Sequence, residues 1–518
     1  MADINRITTE EALDERSPLF KLAHEKWTLV CDLFGGTDRM RACGETYLPR
    51  EVGERATDKD GDIRFQARLN RSTLTNFYKK TLVKHVGKVF SAAIKHQGYV
   101  TKIEEWLENV DLRNNDLTEF GKNVFLDGYN KGVTYIVAEH LKNPLVSADP
   151  AAPKPSIKAE KDLGMRPYLA HIPANRMLDI RGEYLRGKFV PVLVRYVEEV
   201  IEYPEVGFTP SLVTQVKILQ PGSWSIWRYD TEVAMWYQHD AGATNLKFIP
   251  IVDFNPNPCG FMLGTPVLEE LAEKTVQYWR ESSDLSNILN KVASPILHYR
   301  GQNVDAQGND VDLVVGPNAL VISNQHDNVL EYVEHTGSAI SANQENLKIQ
   351  RDEMTLLGLE PLQVTSKTAT EANLASYEAN STLKAMALRL QDRLEQAIVF
   401  MACYTGDAQE KDGEMVLSGS LTVNTNYGIQ GGEASESEFI ETLGEKGYLS
   451  KVRVMEELQR RNVVNPDLDA QELIDEASKE KVTEPTPPAD PNVISNQTPV
   501  EELVNNEAPV EPANNEEA

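Results

Sequence analysis

Asp58-Lys59-Asp60-Gly61-Asp62 has the alternating acids from which calcium loops are built. Such a loop needs glycine at its sixth position and a bidentate glutamate at its twelfth. Here the glycine is fourth and the twelfth residue from Asp58 is Leu69, so the segment reads as an acidic surface turn. Adjacent acids recur at Glu104/Glu105 and Glu269/Glu270. General acid–base work needs two carboxylates aimed at one substrate, whereas helix neighbours diverge by about 100°. These pairs read as solvated faces. The nine histidines include no i, i+4 pair, and Cys31, Cys43, Cys259 and Cys403 form no C-x-x-C, so neither a zinc site nor a disulfide framework is expected. Phosphate-loop, zinc-protease, serine-hydrolase and dinucleotide signatures are missing. Asn76-Phe77-Tyr78-Lys79-Lys80 mixes bases and aromatics as a single-strand binder would. Phe77 and Tyr78, however, fall on an apolar helical stripe, which predicts core packing. Nothing in these spacings favours an enzyme, and no cofactor or metal is expected.

The chain has 518 residues, 52 Lys and Arg against 79 Asp and Glu, and a net charge of −27. That length exceeds what one core usually serves. The charge excludes a uniformly phosphate-binding surface but leaves room for a local, non-adhesive contact with DNA. No apolar run reaches the roughly 18 residues that span a bilayer. The opening Met1-Ala2-Asp3-Ile4-Asn5-Arg6 lacks a signal-peptide core, so a cytoplasmic origin is expected.

The elements that would position any site come in a definite order. Over Asn70–Lys95 the apolar residues Leu74, Phe77, Tyr78, Leu82, Val86, Val89, Phe90 and Ile94 recur at helical steps. Further helices are predicted over Ile103–Val110 and Leu117–Asp127, broken by Gly128 and Gly132 before a strand at Val133–Ala138. Asn143–Lys161, with four prolines and four alanines, reads as a linker. Strands are predicted at Phe189–Val200, Val213–Leu219, Ser223–Tyr229, Glu232–Tyr237 and Phe248–Phe254. Pro221-Gly222 and Asp240-Ala241-Gly242 serve as turns in one antiparallel module.

Thr265-Pro266 predicts the start of a helix to Val292. Short strands follow at Pro295–Tyr299, Val311–Val315, Ala319–Ile322 and Val329–Glu334. Ser341-Ala342-Asn343-Gln344 caps a helix that Gly358 stops, and Thr368-Ala369-Thr370-Glu371 caps a longer one to Cys403. From Lys481 to Ala518 there are seven prolines, eight acids and one base. Such a tail buries too little apolar surface to order itself.

This order, and an ordered series of phrases, resembles the bacteriophage portal proteins, the head-to-tail connectors of tailed double-stranded DNA phages. The phrases are Tyr47-Leu48-Pro49, Arg68–Phe90, Asp127–Val137, Arg166-Pro167-Tyr168 with Ile172–Asn175, Val314–Ile322, Tyr332–Gly337, Met354–Gly358 and Glu371–Gln396, spread over roughly 40–460. The resemblance implies an α+β fold with an α/β wing, a two-helix stem, a small β-rich clip, a long helix and a helical crown. It places the wing at 1–264, a first stem helix at 265–293, the clip at 294–336 and a second stem helix at 337–358. A tunnel loop occupies 359–367, a long helix and remaining wing 368–434, the crown 435–480, with Ser435-Glu436-Ser437-Glu438 and Ser450 as caps, and a disordered acidic tail 481–518.

The resemblance further implies a homo-oligomeric ring of about twelve copies at one capsid vertex. Double-stranded DNA passes through its channel during packaging and ejection. Partners would be the major capsid protein, scaffolding protein, terminase large subunit and tail adaptor, with no membrane. The virion, assembled in a bacterial cytoplasm, would be its location. Leu359, Glu360, Gln363 and Lys367 would face the DNA path, with Lys367 meeting phosphate, and Asp310, Asp312 and Asp327 would dock partners on the clip. The two stem helices are unequal on this reading, 28 residues against 17, or about 42 Å against 26 Å. The first is therefore expected to join the wing before Arg280-Glu281-Ser282-Ser283-Asp284. The alternatives are another head–tail connector or scaffold protein, or a metal-dependent hydrolase with dispersed ligands.

Overall fold

The computed structural model describes residues 8–9, 12–141, 163–185, 187–204, 207–292, 296–300, 329–333, 338–359, 369–411, 414–425 and 427. Towards the C-terminus it describes 440, 442–444, 446–460, 470–471 and 473–475. Asn143–Lys161, the tail from Lys481, and the predicted strands at Val311–Val315 and Ala319–Ile322 lie outside these residues. The chain falls into two units, Met1–Tyr427 and Gly428–Ala518. Its class is mixed helix and sheet, α+β, with antiparallel pairing throughout the described strands.

The first unit opens with strand β1 (Thr8–Thr9) and helices α1 (Pro18–Gly35), α2 (Thr37–Cys43), α3 (Gly61–Arg71) and α4 (Phe77–Val89). The apolar stripe predicted over Asn70–Lys95 is real: Leu74, Tyr78, Leu82, Val86, Val89 and Ile94 are all buried in one core. It is not carried by one helix. Asn76 ends the turn after α3 by accepting from the Lys79 amide at 2.9 Å, a cap that starts α4 afresh. The chain leaves α4 into strand β2 (Lys95–Gln97), then helices α5 (Thr101–Leu107) and α6 (Leu117–Lys131). Gly128 does not break α6; it lies within the helix. Gly132 ends it at φ +84°, its amide donating to the Gly128 carbonyl at 2.7 Å.

Strand β3 (Thr134–His140) pairs with β4 (Pro167–Pro173) on one side and β10 (Ile251–Phe254) on the other. Between them run β5 (Met177–Leu185), β6 (Lys188–Glu202), β7 (Ser211–Gln220), β8 (Ser223–Asp230) and β9 (Met235–Ala243). These form a six-stranded antiparallel sheet in the order β1-β9-β8-β7-β6-β5. The expected single module is therefore two sheets, because Phe248–Phe254 supplies β10 to the other one. The turn before β9 also differs from expectation. Asp230 accepts from the amides of Glu232 and Val233, so 231–234 form the turn and Asp240-Ala241-Gly242 continue the strand.

A short hairpin, β11 (Pro258–Gly260) and β12 (Leu263–Gly264), leads to the helices α7 (Glu269–Val292), α8 (Ser338–Leu359) and α9 (Ala369–Thr405). Strands β13 (Ile296–Arg300) and β14 (Val329–Val333) stand between α7 and α8. After α9 come β15 (Gln409–Lys411), β16 (Glu414–Val416) and β17 (Ser420–Thr422), the last pairing with β2. The centre of this unit is α9. Leu383, Met386, Leu390, Leu394, Ala397, Met401 and their neighbours recur at steps of three and four and are buried. They pack in one core with α4, α6 and the start of α7. Tyr404 at its end donates to the Ala138 carbonyl of β3 at 3.2 Å.

In the second unit, Ser450 caps helix α10 (Lys451–Arg460) by accepting from the Arg453 amide at 3.3 Å. Ile440 and Leu458 are buried there. Ser435-Glu436-Ser437-Glu438 lie outside the described residues.

Candidate functional site

Thr265-Pro266 is not the cap of α7. The Asn257 side-chain amide donates to the Thr265 hydroxyl at 3.0 Å and carbonyl at 3.1 Å, which holds Thr265 in the preceding loop. The helix begins at Glu269, whose carboxylate meets Lys26 at 2.6 Å. At the other side α8 begins at Ser338, ahead of the Ser341 box, and runs through Gly358 to Leu359. The two helices are thus 24 and 22 residues long, about 36 Å and 33 Å. The expected mismatch disappears.

Gly358 is glycine because α8 presses on α4. A Cβ there would stand 2.6 Å from the Thr81 hydroxyl oxygen. Gln350, Met354 and Gly358, at four-residue steps, form the buried edge of α8. Its other faces are exposed, including Ile349 and Leu356, which share one side seven residues apart.

The two helices lie antiparallel in a defined register. Lys274 of α7 meets Glu353 of α8 at 2.9 Å, and Thr275 donates to Met354 Sδ at 3.8 Å. Glu281 accepts from Gln350 at 2.6 Å and from Asn346 at 2.5 Å. Beyond the helices, β13 pairs with β14 from Ile296↔Val333 to Arg300↔Val329. Every strand pair is symmetric about one point in the chain, between residues 314 and 315, and the helix contacts are symmetric about the same point to within one residue. Helix pair and strand pair are one antiparallel arm. His298 Nδ1 and Glu331 Oε1, at 3.4 Å, add a cross-strand contact near its far part.

The near part of the arm is fixed by a polar cluster around Arg68, a residue only 2% exposed at the end of α3. Its guanidinium donates to Glu54 at 2.8 and 2.9 Å, to Asp284 of α7 at 3.0 Å and to the Pro49 carbonyl at 2.5 Å. Around it Ser72 donates to Ser283 at 2.7 Å, and Asn287 donates to Glu51 at 2.9 Å. Arg280 donates to the Tyr47 carbonyl at 2.7 Å. The polar run Arg280–Asp284 is therefore not where α7 leaves the N-terminal helices; it is where α7 is bound to them, as far as Asn287. Burial, and the neighbouring Glu51 carboxylate, raise the Asp284 carboxyl to about 6 against the opposing pull of Arg68.

The structure brings none of the other sequence candidates into a chemical site. Asp62 is salt-bridged to Arg50 at 2.7 Å in the turn before α3. Tyr78 is buried and donates to the Asn130 side chain at 2.7 Å, while Phe77 packs edge-on against Tyr278 of α7. All four cysteines are free. Among the described residues no group of three or more His, Cys, Asp or Glu could hold a metal ion. No described helix is long and apolar enough to cross a membrane. Asp310, Asp312, Asp327, Glu360, Gln363 and Lys367 lie outside the described residues, and Leu359 is the last residue of α8. Sequence reasoning missed the Arg68 cluster. Its partners are separated by 216 residues, and the only local signal was the polar run on α7.

A family described as "Domain of unknown function (DUF4055)" matches residues 267–405, well under half the chain. The matched stretch is the arm together with α9. No curated protein matches the chain. Among solved structures the chain is similar to one in the "Virion of native gene transfer agent (GTA) particle", at 14% identity and a TM-score of 0.38. That similarity covers 80% of this chain and 96% of the other. It is also similar to a chain in the "Neck of native GTA particle computed with C12 symmetry", at 14% identity and a TM-score of 0.36. There the coverage is 73% of this chain and 88% of the other. Likenesses at these TM-scores carry no argument about fold or role.

Proposed function

We propose that this chain is the subunit of a portal ring, a conduit for double-stranded DNA at one vertex of a phage-like capsid. The observation that carries this reading is the arm: two helices of matched length, in register with a strand pair, anchored to the core at one end only. An arm of that kind projects a small β-surface away from the body. A strand pair of five residues a side holds no core of its own, and pairing with neighbouring copies would cover its edges. The exposed Ile349 and Leu356 on one side of α8 are what a helix packed against the next copy would offer.

On this reading α7 and α8 are the stem, 294–336 the clip that receives the terminase and then the tail adaptor, and 359–367 the tunnel loop. Leu359, Glu360, Gln363 and Lys367 approach the DNA, and Asp310, Asp312 and Asp327 contact the docking partners. The net charge of −27 suits a channel through which DNA slides, since each phosphate neutralised by a lysine or arginine would add a counterion-release term that favours sticking. Native mass spectrometry of the purified chain tests the ring. A single closed oligomer of about twelve copies is expected; only monomer or dimer at micromolar concentration and several salt levels rejects it. Deleting 360–367 should leave that ring intact while lowering packaged DNA.

A further inference from the structure

The six-stranded sheet ends in two apolar tips that cannot serve each other within one chain. At one end the β5–β6 hairpin exposes Tyr184 (83%) and Leu185, with Tyr184 and Phe189 ring centroids 4.8 Å apart. Phe261, from the β11–β12 hairpin, extends this tip by an edge-on contact with Phe189 at 4.5 Å. At the other end the β6–β7 hairpin exposes Tyr203 (75%), Phe208 (99%), Ile201 and Leu212. Strand β6, 15 residues long, joins the two tips and separates them by about 50 Å. Large apolar side chains concentrated at both ends of one sheet mark contact surfaces.

The two tips also differ in charge. Residues 181–189 contain three basic residues and one acid, whereas 198–212 contain four acids and no base. A tip does not complement itself, so a two-fold contact of like with like is disfavoured. Each complements the other.

We propose that the β5–β6 tip of one copy docks on the β6–β7 tip of the next, a heterologous contact whose partner is a second copy of this chain. Such contacts close into a ring when the rotation allows. β5 is the terminal strand of its sheet, so the contact would also cover an edge. This inference rests on the ring proposed above and assigns a surface to its subunit contact.

The test uses the full-length chain by native mass spectrometry and sedimentation velocity, with circular dichroism to verify folding. Tyr184→Asp damages one tip and Phe208→Asp the other; both side chains are exposed, so neither change empties a core. Each variant alone is expected to lose the ring at concentrations where the unaltered chain is fully assembled. An equimolar mixture retains one intact pair of tips and is expected to stop at dimers. Should either variant fail to fold, Tyr184→Ser and Phe208→Ser read the same way. Rings that persist in both variants overturn this contact and leave the ring reading standing. An unaltered chain that is monomeric under all conditions overturns both.

Discussion

Arg68 of α3 and Asp284 of α7 are hydrogen-bonded at 3.0 Å across 216 residues of chain, and this contact ties the projecting arm to the N-terminal helices. The same guanidinium holds Glu54, whose side chain is 6% exposed, so three elements meet at one buried cation. A buried ion survives only while its partners satisfy it.

Replacing Arg68 by methionine should therefore be severe. Glu54 would remain buried without its counterion, a loss of about 3–5 kcal/mol. Arg68→Lys should recover only part of this, because an ammonium cannot bridge Glu54, Asp284 and the Pro49 carbonyl as the planar fork does. Urea unfolding of the three proteins measures it. A methionine variant within about 0.5 kcal/mol of the parent would show that the cluster is not structural.

Asp284 predicts a pH effect of opposite sign to that of most carboxylates. Its folded value, about 6, lies above the ordinary one, so its protonated form is favoured in the fold. The stability it contributes is complete below about pH 4 and is lost as pH rises through 6. Asp284→Asn should match the parent near pH 4 and exceed it at pH 7, by about 1 kcal/mol after allowing for the half-exposed side chain. A gap that stays constant with pH would exclude this.

His85 acts in the other direction over a neighbouring range. It is buried between α4 and α6, 2.6 Å from the Tyr129 hydroxyl, and burial lowers it to about 4. A depressed base favours the neutral form, so its contribution is full above about 6.5 and lost as pH falls towards 4, by about 3 kcal/mol. His85→Gln should flatten the acid limb of a melting-temperature profile. An unchanged limb would place the proton uptake elsewhere.

Gly358→Ala should cost about 1–3 kcal/mol by driving a methyl group into Thr81. Adding Thr81→Ala removes the nearest atom and should restore most of the loss. Additive effects in the double variant would show that α8 and α4 are not in close contact.

Sequence periodicity captured the elements whose burial is one-sided. The stripes of α4 and α9, the turn at Gly222 and the alternation through Val213–Leu219 all follow from neighbours a few residues apart. What periodicity could not supply was set by distant contacts. Asn257 takes Thr265 from the start of α7, Asp230 converts the first residues of a predicted strand into a turn, and Thr81 explains a glycine that looks like a helix stop. The arm was legible as an order of helix, strands and helix. Its equal lengths and shared register were not, because both helix starts depend on tertiary partners.

The most direct test of the portal reading is electron microscopy of the purified full-length chain with class averages viewed along the particle axis. A ring with an axial hole, bearing a narrower projection on one side where the helical arms converge, is the predicted result. Compact particles without a central opening, at concentrations and salt levels that keep the chain folded, would contradict it.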